Sequence, residues 1–178
     1  MRFQPLDEAF VAQHLLTLGV ARDEPHGLEL ARLSNGSFDR AMLWTSEEMT
    51  GFRSELWQWL GKGNIDSFQL AKRITAFVEA AGKDAPVRRV RLKVVIEMFL
   101  AFLRELMLVR SGTHGQSDEE LRTNVESAAS TWLIGPETIA SRIERCVEAD
   151  QQVAANANLA TLVECWIDDL FAHPVLDR

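Results

Sequence analysis

The chain has 178 residues, 47% hydrophobic and 25% charged, with 10 Gly, 5 Pro and a formal net charge of −7. Such a composition supports a packed core in one domain or two small ones and excludes a disordered chain. The acidic balance, with a pI near 5.1, also excludes a surface that clamps nucleic acid along its whole length, because neutralising phosphates needs basic residues.

Helical periodicity runs through almost every segment and no strand-like alternation appears, so the expected fold class is all-α. Asp7 is a plausible N-cap for a first helix with Phe10, Val11, Leu15 and Leu18 on one face. Residues 28–34 predict a short second helix, which Gly36 can end in the left-handed conformation before Ser37 caps a third. Thr45 and Glu48 have capping-box spacing ahead of a stripe of Met49, Phe52, Leu56, Trp59 and Leu60. GKGNID, residues 61–66, has the composition of a linker.

Beyond it the helices lengthen. Asp66 can cap a helix bearing Phe68, Ala71, Ile74, Phe77 and Val78, which stops at Gly82. Pro86 precedes a helix over residues 87–110 that is apolar on nearly all sides from Val94 to Leu103, except at Glu97. Such a helix wants neighbours on several faces and is expected at the centre of its domain. SGTHGQS, residues 111–117, reads as a loop, with Ser117 and Glu120 as a second capping box. Pro136 opens a helix with Ile139, Ile143, Cys146, Val147 and Val153. Asn158 can cap the last helix, where Leu159, Leu162, Val163, Trp166, Ile167, Leu170 and Phe171 oppose Glu164, Asp168 and Asp169, before His173 and Pro174 end it.

The most apolar segment, VVIEMFLAFLRELMLV, is interrupted by Glu97, Arg104 and Glu105, so no membrane span is expected. The N-terminal MRFQPLDEAF has no apolar secretory region, and Cys146 and Cys165 form no CxxC. Both cysteines read as reduced core thiols, and a cytoplasmic location is expected.

No catalytic, cofactor or metal residue is nominated. GxxxxGK[ST], HExxH, GxSxG and useful Cys–His pairs are all absent. His14 reads as a boundary residue and His114 stands alone in a loop. Glu164, Asp168 and Asp169 read as a solvated face, since one helix rarely supplies enough oxygens for a cation. In KDAPVRRVRLK, Lys83, Arg88, Arg89, Arg91 and Lys93 make a local basic patch within eleven residues, which is read first as a solvated helix start. Trp57 and Trp59 diverge around a helix and cannot face one core, which makes one of them a candidate external contact. The residues alone describe a helical interaction module.

Several segments, in order, resemble one family. RFQPLDEAFVAQHL resembles the stretch where an AAA+ ATPase core passes into its helical lid, and LELARLSNGSFDRAML the lid signature ARLS-x-GS-x-x-RAL of clamp-loader subunits. IERCVEADQQVAANANLATLVECWIDDLF is similar to their collar ending, and FLAFLRELMLVRSG and NVESAAS sit where that family carries WLRDLL-x-x-x-G and N-x-D. The best match is the delta-prime subunit of the bacterial DNA polymerase III clamp loader. Arg104-Glu105 replaces its usual Arg-Asp and Glu126 its Asp, and Val163 and Cys165 also depart from its pattern.

The resemblance implies a helical AAA+ lid over residues 1–62, with 1–6 the tail of a missing core, and a helical-bundle collar over residues 63–178. The chain lacks a P-loop, so a fragment is expected, with no cofactor and no direct nucleotide binding. Partners would be the gamma/tau and delta subunits through the collar and, indirectly, the sliding clamp and primed DNA. The implied lid signature is Gly36, Ser37, Asp39 and Arg40. In ATP-binding subunits an Arg stands where this chain has Asp39. Arg40, about 100° further round the helix, cannot simply substitute, and Asp repels phosphate. Asn156, Asn158, Leu162, Trp166 and Leu170 are candidate collar contacts, with an exposed face expected around Trp166. The alternatives are the lid and collar of the gamma/tau ATPase subunit, and a stand-alone helical ligand-binding or enzymatic bundle.

Overall fold

The computed structural model describes residues 6–34, 36–113, 115 and 118–171, and it is all-helical: these residues hold nine helices and no strand. Two compact units divide the chain, Met1–Ser54 and Glu55–Arg178.

The first unit contains α1 (Glu8–Thr17), α2 (Glu24–Leu33), α3 (Phe38–Leu43) and the start of α4 (Glu47–Lys62). Asp7 does cap α1, its carboxylate accepting from the N–H groups of Ala9 and Phe10 at 2.9 and 3.2 Å. The second helix starts earlier than residue 28, because Asp23 accepts from the His26 N–H at 2.8 Å and Pro25 fits the first turn. Ser46 rather than Thr45 leads into α4: its carbonyl accepts from Met49 and Thr50, while the Thr45 hydroxyl donates to the Met42 carbonyl. Val11, Leu15, Leu30, Ala31, Ala41, Trp44, Met49 and Phe52 make the core of this unit.

The second unit contains the rest of α4 with α5 (Ser67–Glu79), α6 (Ala85–Arg110), α7 (Glu119–Thr131), α8 (Pro136–Ala154) and α9 (Leu159–Phe171). Asp66, Pro136 and Asn158 open their helices as the sequence indicates. At α7 the cap is Asp118, which accepts from the Leu121 N–H at 2.9 Å; Ser117 lies outside the described residues. The long α6 is central, packing on α5, α7 and α8, and it buries Val94, Val95, Ile96, Phe99, Phe102 and Leu103.

GKGNID is built into this unit rather than hanging as a free linker. The Trp132 indole N–H donates to the Leu60 carbonyl at 2.9 Å, and the Ser127 hydroxyl to that of Gly61 at 2.9 Å. Gly63 adopts φ 75°, and a Cβ there would come within 2.7 Å of the Thr131 Cβ. Both the backbone and the space therefore require glycine.

Candidate functional site

The corner between α2 and α3 forms where the lid signature falls. Gly36 has φ 73°, the left-handed conformation that turns the chain, and its carbonyl accepts from the Leu6 N–H at 3.2 Å. Ser34 is fully buried, its hydroxyl donating to the Ala31 carbonyl at 2.8 Å. Ser37 occupies the N-cap position of α3 without a side-chain cap bond. Arg40 is half-buried on α3, and the side chain of Asp39 lies outside the described part of the structure.

Beside this corner, α1 keeps apolar residues on both sides. Val11 and Leu15 are buried, yet Phe10 is 57% exposed and Leu18 55%. His14 stands between them at four-residue steps, so the three share one row, exposed throughout. Its imidazole lies 6.2 Å from the Phe10 ring and 5.3 Å from that of Phe38. Leu6, also exposed, lies just ahead of the row. His14 is thus a surface residue among aromatic rings.

At the other end of the chain, the collar candidates split into two groups. Trp166 is fully buried, against the expectation of an exposed face around it. Its ring meets Phe99 of α6 edge-on at 4.9 Å, and Leu162 and Leu170 are buried on the same face. The stripe on α9 faces inward because α5 and α8 pack on that helix. Leu162, Trp166 and Leu170 are therefore core residues of the second unit. Asn156 and Asn158 are exposed, with Asn156 at φ 63° and the Asn158 side chain accepting from the Thr161 N–H at 3.2 Å.

The two cysteines also differ. Burial pushes the Cys146 thiol up to about 11, and the smaller opposing pulls of the Trp166 indole and the Arg145 charge do not cancel it. Cys165 is exposed, contrary to the expectation of a core thiol. Arg142 stacks 4.8 Å from the Trp132 ring and 5.1 Å from that of Phe171, where burial lowers its pKa to about 10. Trp57 is buried and Trp59 half-buried, as their divergence around α4 requires.

The acidic side of α9 is engaged in part. Asp169 pairs with Arg145 at 2.7 Å, and Asp168 accepts from the Ser67 hydroxyl at 3.4 Å. Among the described residues no group of three His, Cys, Asp or Glu side chains could hold a metal ion, and no helix is long and apolar enough to cross a membrane. His114, His173 and Pro174 lie outside the described residues.

The basic run divides by role. Arg91 donates to the Phe77 carbonyl at 3.1 Å and stacks over its ring, while Lys93 pairs with Asp150 at 3.4 Å. Lys83, Arg88 and Arg89 instead line a cleft of about 530 Å³, whose other wall includes Asn156 and Asn158. More than sixty residues separate the two walls in sequence, so no local pattern joins them.

No protein family, no curated protein and no solved structure matches the chain.

Proposed function

We propose that this chain is the lid and collar of a delta-prime-type clamp-loader subunit. In this reading it is a non-catalytic, cytoplasmic part of the bacterial DNA polymerase III loader. It works by protein contact: through the collar it joins gamma/tau and delta, and the assembled loader places the sliding clamp on primed DNA. It binds no nucleotide and needs no cofactor. The ordered motifs support the reading, and so does an all-α chain with a glycine corner at the lid signature.

One structural observation carries it. Leu6, Phe10 and Leu18 present large apolar side chains to solvent from the first unit. A lid must dock on an AAA+ core, and an apolar row of this kind is the surface such docking would cover. Asp39, where an ATP-binding subunit has Arg, favours delta-prime over gamma/tau.

The test mixes the chain with purified gamma/tau and delta subunits and reads complex formation by native mass spectrometry. A defined complex containing one copy of the chain is expected. Phe68→Asp, which changes a residue 71% exposed on α5, should weaken it at least tenfold while leaving the helical spectrum intact. Failure to associate with either subunit overturns the proposal.

A further inference from the structure

We propose that the cleft between the α5–α6 loop and the start of α9 binds a phosphate group. Three observations meet there, and none depends on the clamp-loader reading.

The first is charge. Lys83, Arg88 and Arg89 line the cleft against one carboxylate, that of Glu79, in a chain whose formal net charge is −7. Asp84, at the N-cap position of α6, is the nearest further acid in sequence. The excess is local and positive where the molecule as a whole is negative.

The second is that the fold leaves part of the donor capacity of Arg88 and Arg89 unspent. Arg91 and Lys93, from the same run, are tied to a carbonyl and a carboxylate. Arg89 is half-buried, and its Nε is fully buried without a hydrogen-bond partner. An unmet buried donor is costly, so a turn of the Arg89 side chain toward an acceptor entering the cleft would relieve it. Arg88 is fixed at its Nε, which donates to the Gly82 carbonyl at 2.6 Å. That bond sets the plane of its guanidinium while its terminal nitrogens remain donors.

The third is the opposite wall. Leu159 and Ala160 also line the cleft, and their N–H groups stand in the first turn of α9, where no carbonyl of the helix reaches them. The positive end of the helix dipole lies there too. Asn158 caps the turn, and Val163 adds an apolar surface. Guanidinium and ammonium donors on one wall and backbone donors on the other suit a tetrahedral group with several free oxygens better than a planar carboxylate. A volume of about 530 Å³ admits more than a bare ion. The ligand class is therefore a molecule or chain carrying a phosphate, held by that group.

The test follows backbone amides and Arg Nε–H signals of the whole chain by NMR during titration with inorganic phosphate, with sodium chloride at matched ionic strength as control. Saturable shifts at Leu159, Ala160 and Arg89 are expected with phosphate and not with chloride. The double variant Lys83→Gln, Arg89→Gln should weaken binding at least tenfold, whereas Lys72→Gln, on an exposed part of α5, should leave it unchanged. Glycerol phosphate and an oligothymidylate are the two further arms. Tighter binding of the first assigns the site to phosphomonoesters, and of the second to a phosphodiester backbone. Shifts that do not saturate, that chloride reproduces, or that only a polyglutamate peptide elicits overturn the proposal.

Discussion

The two units bury their apolar residues to different depths. In Glu55–Arg178 the fully buried side chains include Trp57, Phe99, Phe102 and Trp166, set around a helix of 26 residues. In Met1–Ser54 the largest fully buried side chains are Leu15 and Leu30, and the helices of 10, 10 and 6 residues are short. Helices of that length are held by packing rather than by their own propensity. The same small unit leaves Leu6, Phe10, Leu18 and Met42 exposed. The larger unit exposes apolar residues as well, Phe68 and Leu133 among them, so the two differ in the size of the side chains they bury fully rather than in whether apolar surface stays open.

The largest test of that contrast is Trp166→Ala. Emptying this fully buried site should cost about 3–5 kcal/mol, read as a lower urea midpoint with the loss concentrated in α5, α6 and α9 by hydrogen exchange. If the variant unfolds no more easily than the parent, Trp166 does not hold the core and the surface role expected from sequence regains its ground.

A smaller effect should appear in alkali. The folded pKa of Cys146 is raised, so the unfolded chain ionises first, and stability present below pH 9 falls as pH rises toward about 11. Between pH 8 and 10 the loss should be about 1 kcal/mol, and Cys146→Ala should abolish that slope. Arg142 acts oppositely. Its lowered pKa makes the folded state release its proton first, which adds stability from about pH 10 upward, so the lower window isolates the thiol. Equal slopes for parent and variant would refute the linkage.

The smallest effect is expected at Phe10. Phe10→Ser removes an exposed ring and should change the urea midpoint by less than about 0.5 kcal/mol. A loss several times larger, measured in the isolated chain, would mean that the row on α1 stabilises its own unit and is not held for a partner.

Much of this architecture was legible in the sequence because its signals are local. Asp7, Asp66, Pro136 and Asn158 mark helix starts by chemistry that acts within three residues. Ser46 and Asp118 were missed because neighbouring Thr45 and Ser117 offer the same hydroxyl chemistry at a better-looking spacing. Periodicity placed Leu162, Trp166 and Leu170 on one face, but it reports that a face is covered and not by what. An interface within the chain and one between chains leave the same pattern. Cys165 shows the converse, an apolar-looking residue beside the stripe that no helix covers. The phosphate cleft was invisible for a further reason: its basic wall looks like any solvated run until the start of α9 is folded against it.

The bond from the Trp132 indole to the Leu60 carbonyl spans 72 positions. A chain synthesised from its N-terminus completes the last turn of α4 long before that indole exists. Closing so long a loop carries an entropic penalty that must be met before the contact forms. That turn should consequently be among the late events of folding, ordered only after α7 has emerged and docked. Nascent chains arrested before residue 132 should leave residues 55–62 unprotected, so the last part of α4 would depend on sequence not yet made.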